Sequence, residues 1–509
     1  METDVVVVGY GGAGAAAAIT AHDAGAKVAI VESSSCGGGN TLVSMGGFLC
    51  PNNAQDAFDY ISGLFEFSHS DKNDEMIRVF SQESVKNVDW IKSLRQGTEV
   101  QLYGHAGYSQ LPGAGSMEKY LVKGKGKGMT LFARNLWGLF TYAVEKKRKI
   151  PVLTLSPARR LLTDGNGEIA GVIAESGGKE FSIRTNRAVI LTTGGYEFDQ
   201  QILQNNLKGY PIYACGHPGN TGDGIRMAQK VGAALWHMNG VSCGLGLKVP
   251  DFKSGFLMLI GAPGHILVDR DARRFVNEKG IEPHAGLLAV DHYDTQTLKF
   301  PRIPCYAIFD ENARLKGPIS WATGFGAAGQ KYKWSRDNSI EIEKGWITRG
   351  NTIVELAKKL KLNEAGLSET VAKWNDEVKK GRDTQFNRPI KTSGENRPAY
   401  KDFVSSIISE PIETPPFYGL ELYPCLVNTQ GGPMRNARAQ VLDAFGEPIP
   451  RLYSAGELGS MWGIIYQGGG NIAECMVFGR IAGKNAAGES SWLRGPRDVR
   501  AQFFKNGVP

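Results

Sequence analysis

The sequence has little cysteine for its length, and its charged residues are few and nearly balanced in sign. Seven cysteines in 509 residues, without any C-x-x-C pair, exclude a disulfide framework, a zinc ribbon and an attached c-type haem. We therefore expect a reducing, cytoplasmic location. The net charge of +7 reflects 58 basic and 51 acidic residues, an excess too mild to indicate a nucleic-acid partner.

Long apolar runs are also scarce. Residues 5–21 carry no formal charge, but four glycines interrupt them, and they fall short of the roughly 20 apolar residues that a membrane-spanning helix needs. We therefore predict no membrane span. A hydrophobic fraction of 42% and a charged fraction of 21% are typical of a globular chain of two or three domains. Glycine, with 65 residues, is in excess, which favours many close backbone approaches.

The N-terminus carries the strongest local pattern. The β-branched run Asp4–Val8 predicts a buried parallel strand, and a G-x-G-x-x-G loop from Gly9 to Gly14 follows at once. A helix is expected next over residues 15–24, and then a second strand over residues 27–31 that ends at Glu32. This strand–loop–helix–strand order is the context in which such a loop binds a dinucleotide.

Each residue type in this loop has a physical role. Gly9 permits the tight turn, Gly11 lets a pyrophosphate approach the backbone, and Gly14 allows the helix to pack on the strand. The helix N-terminus offers N–H groups and the positive end of its dipole to the phosphates. The Glu32 carboxylate is suited to accept both hydroxyls of an adenosine ribose, and it disfavours a 2′-phosphate.

Six further motifs identify the dinucleotide. Residues 37–47 (GGGNTLVSMGG) resemble the flavin-binding segment of the fumarate reductase and succinate dehydrogenase flavoprotein superfamily. The other motifs resemble this superfamily in the same order along the chain, and they are residues 188–195 (AVILTTGG), 221–225 (TGDGI), 453–457 (YSAGE) and 466–472 (YQGGGNI) followed by 478–483 (FGRIAG).

The resemblance implies that FAD is the cofactor. Glu457 is expected to bind ribityl hydroxyls, and the helix starting near Ile472 is expected to direct N–H groups at flavin N1 and O2. Asn40 stands where relatives with covalent FAD have histidine, so we predict non-covalent binding. The predicted cofactor-binding residues are Gly9, Gly11, Gly12, Ala13, Gly14, Glu32, Ser33, Gly39, Asn40, Thr41, Ser44, Gly46, Gly47, Ala158, Thr193, Gly194, Asp223, Glu457, Asn471 and Ile472.

The motif order implies the domain organisation. We predict an α/β fold in which a Rossmann-type FAD-binding domain, a parallel sheet with helices on both faces, is interrupted by an inserted α+β capping domain. The first part of the FAD-binding domain is expected over residues 1–235, the capping domain over 236–414, and the second part over 415–509. In the superfamily, the capping domain forms the substrate pocket. Its predicted elements include an amphipathic helix over residues 368–380.

Three positions argue against a dicarboxylate substrate. The chain resembles fumarate reductases around residues 274–278, but their proton-donating arginine falls at Glu282 here. Their carboxylate-binding histidine and arginine correspond to Asn428 and Gln467. Without these cationic groups a dianion would be clamped poorly, because bidentate arginine contacts hold such ligands.

The segment from Tyr466 to Gly470 instead resembles the Tyr-x-Gly-x-Gly of 3-ketosteroid dehydrogenases. The resemblance implies that the Tyr466 hydroxyl and the Gly470 N–H bind a ring ketone and stabilise the enolate formed when the adjacent C–H is lost. Those enzymes carry tyrosine where this chain has Glu282, so we assign the acid/base role to Glu282 or to His284.

We therefore expect an FAD-dependent oxidoreductase that forms or reduces a C=C bond next to a carbonyl, most simply in an apolar cyclic ketone such as a 3-ketosteroid. The alternatives are a fumarate- or urocanate-type enoate reductase, with its carboxylate on Arg435 or another arginine, and a flavin-binding subunit without chemistry of its own. Because no second dinucleotide loop and no cluster motif are present, an external electron donor or acceptor is expected beside the small-molecule substrate.

Overall fold

The computed structural model describes residues 1–124, 129–320, 332–390 and 409–492. It divides the chain into two compact units. Unit 1 contains residues 1–203, 217–241 and the described residues from Asn428 onward. Unit 2 contains residues 204–216 and the described residues within 242–427.

The described strands and helices are numbered in chain order. The strands are β1 Glu2–Val8, β2 Val28–Val31, β3 Phe48–Leu49, β4 Val100–Gly104, β5 Lys119–Val122, β6 Val152–Leu153, β7 Ala158–Thr163, β8 Ile169–Ser176, β9 Lys179–Leu191, β10 Tyr213–Ala214, β11 Leu235–Trp236, β12 Val241–Leu247, β13 Phe256–Met258, β14 His265–Val268, β15 Cys305–Asp310, β16 Thr348–Gly350, β17 Phe417–Thr429, β18 Gly432–Pro433, β19 Gln440–Leu442 and β20 Pro448–Ser454. The helices are α1 Gly12–Asp23, α2 Gly39–Val43, α3 Ala54–Ser68, α4 Asp74–Ser84, α5 Asn87–Leu94, α6 Met129–Thr141, α7 Gln200–Asn206, α8 Asp223–Lys230, α9 Gly286–Val290, α10 Glu311–Leu315, α11 Ser339–Glu343, α12 Ile353–Leu360, α13 Glu364–Lys380 and α14 Gly470–Gly488.

Unit 1 is built on a mixed sheet whose central strands are parallel. The strand order is β19-β20-β9-β1-β2-β6, and the antiparallel strands β7 and β8 extend from β9. β1 pairs in parallel with β2 on one side and with β9 on the other. The valines of β1 from Val5 to Val8 are buried, as expected for a central strand covered on both faces. This part of the chain therefore has the predicted doubly covered α/β architecture.

Two long helices pack closely at the centre of unit 1. A Cβ added to Gly483 of α14 would lie 2.3 Å from the carbonyl oxygen of Ala17 in α1, and one added to Gly479 would lie 2.7 Å from the Ala16 side chain. Small residues at these positions let the two helix backbones approach. The contact fixes the N-terminal half of α1 against α14, and each of these helices begins with a glycine-rich turn.

Unit 2 has its own sheet, of order β13-β12-β17-β15-β14, with β10 and β16 also paired to β17. β17 is antiparallel to β15, with Cys305 opposite Leu422. Helices α12 and α13 cover one side, where Trp374, fully buried, shares a core with Ile308 and Leu356. The unit is α+β, and α13 begins at Glu364, four residues before the predicted helix start, because Asn363 caps it.

The boundaries between the units lie at residues 241/242 and 427/428, compared with the predicted 235/236 and 414/415. Unit 2 also includes residues 204–216, which the predicted boundaries assigned to the FAD-binding domain. The short strand β10 in this segment pairs with β17, with Tyr213 opposite Cys425. Among the described residues, no helix has the length and apolar character needed to cross a membrane.

Candidate functional site

The glycine-rich loop after β1 has the geometry that its motif requires. Gly9 has a φ of +99°, and a Cβ there would lie 2.4 Å from the Thr192 carbonyl oxygen. A Cβ on Gly14 would lie 2.1 Å from the Gly9 carbonyl oxygen. Gly11 precedes α1 without a side-chain cap, and the Gly12 N–H donates to Thr41 Oγ1 at 3.1 Å. The N-terminus of α1 therefore starts at a turn that only small residues can form.

Glu32 is oriented by the backbone around it. Its carboxylate accepts hydrogen bonds from the Tyr10 N–H at 2.8 Å and the Ser34 N–H at 2.7 Å, and from the Ser33 hydroxyl at 3.3 Å. The Ser156 N–H donates to the Glu32 carbonyl at 2.8 Å, just before β7 begins at Ala158. Glu32, Ser33 and the start of β7 are thus neighbours, as an adenosine-binding site built from them requires.

The segment that was predicted to face the flavin is held in a fixed conformation. The Ser44 hydroxyl accepts from the Gly46 N–H and donates to the Thr41 carbonyl, both at 2.9 Å. Gly46 has a φ of +75°, and a Cβ on Gly47 would lie 2.8 Å from the Tyr103 hydroxyl oxygen. These glycines allow close approach of neighbouring backbone and rings, which a larger residue would prevent.

A buried carboxyl pair lies beside this segment. Asn40 donates through Nδ2 to Glu197 Oε1 at 2.7 Å and to Glu457 Oε2 at 2.9 Å, and its Oδ1 accepts from the His217 N–H at 2.7 Å. A Cβ on Gly195 would lie 2.5 Å from Glu457 Oε1 and 2.7 Å from Glu197 Oε2. Both carboxyl groups therefore converge on the space that Gly195 leaves open.

Ionising both carboxyl groups at once costs much free energy, because they are buried and close together. Burial and the neighbouring Glu197 charge raise the pKa of Glu457 well above its usual range. Burial also raises the pKa of Glu197, although hydrogen bonds with Glu457 and with the Asn220 and Asn40 amides oppose this. Like charges this close share one proton, and Glu457 is the member that the surroundings favour for it. Sequence reasoning missed Glu197, because nothing local marks its pairing with a residue 260 positions later.

The Thr-Gly pair after β9 offers a polar group to a ligand. Thr193 Oγ1 is buried and, within the described part of the chain, accepts and donates no hydrogen bond. A Cβ on Gly224 would lie 2.0 Å from this oxygen, so α8 approaches it closely at its first turn. Gly194 has a φ of +73°, and Asp223 is the first residue of α8. This is the arrangement in which a bound cofactor supplies the missing partner.

The turn before α14 places a buried phenol at the helix start. The Asn471 N–H donates to the Tyr466 hydroxyl oxygen at 3.1 Å, and the Gly470 N–H donates to the Gln467 carbonyl at 2.8 Å. Gly469 has a φ of +87°, and a Cβ on Gly470 would lie 2.5 Å from the Trp462 ring. Packing against Trp462 therefore requires glycine at position 470. For the Gly470 N–H to donate to a substrate, as predicted, it must first release the Gln467 carbonyl.

The residues at the carboxylate-binding positions of fumarate reductases have other partners here. The buried Gln467 side chain accepts hydrogen bonds from the Tyr60 hydroxyl and from the Gly107 N–H, the latter at 2.9 Å. Asn428 donates to Asn471 Oδ1 at 3.3 Å. Both amides therefore serve to fix the loop and the helix start around Tyr466.

The two predicted acid/base residues form one hydrogen-bonded pair in unit 2. His284 Nδ1 lies 2.9 Å from Glu282 Oε1, and the His284 N–H donates to Glu282 Oε2 at 2.6 Å. The Glu282 side chain is buried, whereas about a quarter of the His284 side chain (26%) is exposed. A Cβ on Gly286 would lie 2.6 Å from the Gly244 backbone, so close packing on β12 holds this loop.

The buried arginines are committed to internal ion pairs. Arg435, fully buried in unit 1, donates to the Glu474 carboxylate and to the Leu458 carbonyl. In unit 2, Arg274 makes two hydrogen bonds of 2.9 Å to Glu278, which Arg388 also contacts at 3.1 Å. Removing these arginines from their partners would leave buried carboxylates uncompensated.

The residues present fit FAD. All predicted cofactor-binding residues lie in unit 1, where two uncapped helix N-termini, the Glu32 carboxylate and the unsatisfied Thr193 hydroxyl match the phosphates and hydroxyls of a dinucleotide. Tyr466 and Gly470 lie in the same unit, and Glu282 and His284 lie in unit 2.

Sequence reasoning also missed the buried Lys119 of β5, because a single lysine in a strand carries no motif.

Comparison with known proteins agrees with this reading. The FAD binding domain family matches residues 4–472. A fumarate reductase (cytochrome) of Shewanella frigidimarina is 30% identical over 95% of this chain and 77% of its own length. The 3-oxosteroid 1-dehydrogenase of Mycobacterium tuberculosis is 26% identical over 96% of this chain and 99% of its own length. The structure of a 3-ketosteroid Δ1-dehydrogenase from Sterolibacterium denitrificans superposes with a TM-score of 0.81 at 23% identity, covering 96% of this chain and 99% of that one.

These matches confirm the predicted superfamily, the fold and the flavin cofactor. The relatives include both ketosteroid dehydrogenases and fumarate or urocanate reductases, which all act on C=C bonds or their saturated counterparts. The chain therefore belongs to the FAD binding domain family and is an FAD-dependent oxidoreductase.

Proposed function

We propose that this enzyme forms or reduces a C=C bond next to the carbonyl of an apolar cyclic ketone such as a 3-ketosteroid. The 3-oxosteroid dehydrogenase among its relatives supports the substrate class. FAD, when bound, supplies the hydride acceptor or donor at N5. The chain itself then has two tasks, which are to polarise the carbonyl and to move one proton.

The Tyr466 hydroxyl is the observation that carries the proposal. It is buried, with 7% of the residue exposed, and it accepts a hydrogen bond from the Asn471 N–H in the first turn of α14. Accepting this bond at the positive end of a helix dipole makes the phenol a stronger hydrogen-bond donor. A substrate carbonyl that accepts from Tyr466 acquires enolate character, which acidifies the adjacent C–H.

The Glu282–His284 pair is proposed to hold and move the proton. A carboxylate that accepts from Nδ1–H fixes the imidazole in one tautomer and orientation. In dehydrogenation the pair takes the proton from the carbon next to the carbonyl, and in reduction it returns the proton. Because the two groups share a hydrogen bond of 2.9 Å, replacing either one is expected to impair both directions.

The competing enoate reductase is favoured by the 30% identity to a fumarate reductase, yet its carboxylate needs a cation. Arg435, the arginine considered for that role, is paired with Glu474 and is 0% exposed. Separating that pair to bind a substrate would leave Glu474 buried without compensation, at a cost of about 3–5 kcal/mol. This cost supports the ketone over the dicarboxylate.

The decisive experiment combines a Tyr466→Phe variant with two substrates. We expect the wild-type protein to convert a 3-ketosteroid faster than fumarate, and Tyr466→Phe to lower turnover of the ketone by about a hundredfold or more. Tyr453→Phe is the matched control, because Tyr453 is also a buried residue but its hydroxyl bonds Glu489. Unchanged ketone turnover in Tyr466→Phe, or a preference for fumarate, would refute the proposal.

Three finer features belong to the same proposal. The Asn40 amide is fully engaged by protein groups, which supports non-covalent FAD, and release of FAD on acid precipitation tests it. All seven cysteines are free thiols, in keeping with a reducing cytoplasm, which cell fractionation tests. An external electron donor or acceptor completes the cycle, and screening of dyes and quinones identifies its class.

A further inference from the structure

Lys119 is a buried cation for which neither the motifs nor the proposed mechanism accounts. It is the first residue of β5, and only 1% of it is exposed. Lysine is almost never fully buried unless it is paired, because burying an isolated charge is costly. The position of this ammonium therefore calls for an explanation in terms of what lies around it.

Two glycine segments of unit 1 meet beside Lys119. β5 pairs with β3, with Lys119 opposite Leu49, and the Leu49 N–H donates to the Gly469 carbonyl at 3.2 Å. A Cβ added to Gly469 would lie 3.6 Å from Lys119 Cδ and 3.5 Å from the Gly47 carbonyl oxygen. The lysine stem thus runs along the junction of the segment ending at Gly47 with the turn before α14.

An aromatic ring also fixes the lysine head. Lys119 Nζ lies 5.9 Å from the centroid of the Tyr103 ring, within the range of a cation–π contact. The Tyr103 hydroxyl in turn lies against Gly47, whose added Cβ would be 2.8 Å away. The lysine, the phenol ring and the two glycine segments therefore border one region of unit 1, next to Gly47, which is one of the predicted cofactor-binding residues.

We propose that Lys119 supplies positive charge to the flavin ring site and raises the reduction potential of bound FAD. Hydride transfer moves two electrons and one proton from the substrate to the ring and adds one negative charge to it, while the second proton goes to the protein. A buried ammonium stabilises that added charge, since charges interact strongly where water is excluded. The inference rests on the proposed function, because such a potential matters only if bound FAD exchanges hydride with the substrate.

The test compares charge removal with charge retention at one position. Lys119→Met keeps the apolar stem but removes the charge, whereas Lys119→Arg keeps a permanent charge. We expect Lys119→Met to shift the oxidised-to-reduced equilibrium of bound FAD at least about tenfold, which lowers the two-electron midpoint potential by about 30 mV. Lys119→Arg is expected to stay near wild type. Lys123→Met is the matched control, because Lys123 directly follows β5, has an exposed side chain and pairs with Glu99.

Dye-equilibrated reduction measures these potentials on FAD-loaded protein without substrate, so the result stands apart from the turnover that tests the proposed function. A midpoint potential of Lys119→Met equal to that of wild type overturns the inference, as does an equal fall in Lys123→Met. If Lys119→Met does not retain FAD, sulfite binding to the wild-type holoenzyme decides. Sulfite adds to N5 and leaves a negative charge on the ring, so we expect it to bleach the flavin, and failure to do so overturns the inference.

Discussion

Glu197 and Glu457 share one proton in the folded protein, so the free energy of unfolding should fall as pH rises. One substitution tests this dependence. Both side chains converge on Gly195, and Asn40 donates to each of them. The perturbation is Glu457→Gln, which replaces the member expected to keep the proton with a neutral amide of nearly the same shape. Asn40 donates to Glu457 Oε2 at 2.9 Å and the Thr429 N–H donates to Oε1 at 3.1 Å, so the single Gln oxygen keeps one of these two hydrogen bonds.

The magnitude follows from counting protons. In the unfolded chain a glutamate loses its proton near pH 4.3, whereas in the folded protein the pKa of Glu457 is raised well above its usual range by burial and by Glu197. Between those two values the folded state binds one proton more than the unfolded state. The free energy of unfolding therefore falls by about 1.4 kcal/mol for each rise of one pH unit. This contribution is complete below the unfolded pKa and is lost as pH rises.

Urea unfolding of the apoprotein at pH 6, 7 and 8 provides the assay. We measure the free energy of unfolding of Glu457→Gln minus that of wild type at each pH. This difference is expected to increase by about 1.4 kcal/mol for each rise of one pH unit, as long as the wild-type pair keeps its proton. Buried histidines and cysteines titrate equally in both proteins and cancel in this difference. Glu175→Gln is the control, because Glu175 is solvent-accessible and pairs with Arg159. Parallel pH profiles of wild type and Glu457→Gln would refute the shared proton.

Two further substitutions test the packing around the site and the frame of unit 2. Gly195→Ala places a Cβ 2.1 Å from Thr429 Oγ1 and 2.5 Å from Glu457 Oε1, so we expect a loss of about 1–3 kcal/mol in stability and weaker FAD binding, measured by thermal unfolding and FAD titration. Glu278→Ala leaves Arg274 and Arg388 without their shared carboxylate and is expected to lower the free energy of unfolding by about 3–5 kcal/mol. Tryptophan fluorescence measures this unfolding, because both guanidinium groups lie 4.6 Å from the Trp374 ring centroid. Unchanged unfolding in either variant would contradict the assigned contacts.

The first βα unit could be predicted from the sequence because its information is local. The strand, the glycine turn, the helix and Glu32 lie within 32 consecutive residues. Within them, Gly9 has the positive φ that its position in the turn requires. The predicted helix began at residue 15, whereas α1 begins at Gly12, because the motif glycines themselves form its first turn. Long, strongly patterned elements are the part of a fold that local physics determines.

The long-range pairings could not be predicted in the same way. Asn40 was expected to bind the cofactor, but its link to Glu197 and Glu457 depends on the folding of segments 157 and 417 residues away. The membership of residues 204–216 in unit 2 depends on the two-residue strand β10, which is too short to show a period. Lys119 is buried by the pairing of β3 with β5, which no single-strand pattern indicates.

The distribution of buried charge bears directly on the choice of substrate. In the described part of the chain, Arg435 neutralises Glu474, and Arg274 and Arg388 neutralise Glu278 within one network. Each of these pairs is fully buried, so a substrate carboxylate bound by one of these arginines would compete with an internal partner already in hydrogen-bonded geometry. A neutral ketone avoids that competition, because its oxygen needs only a hydrogen-bond donor such as Tyr466. In the proposed reaction of a ketone, charge develops on the substrate only as the C–H bond breaks, and a phenol at a helix N-terminus would stabilise that transition state more than the ground state.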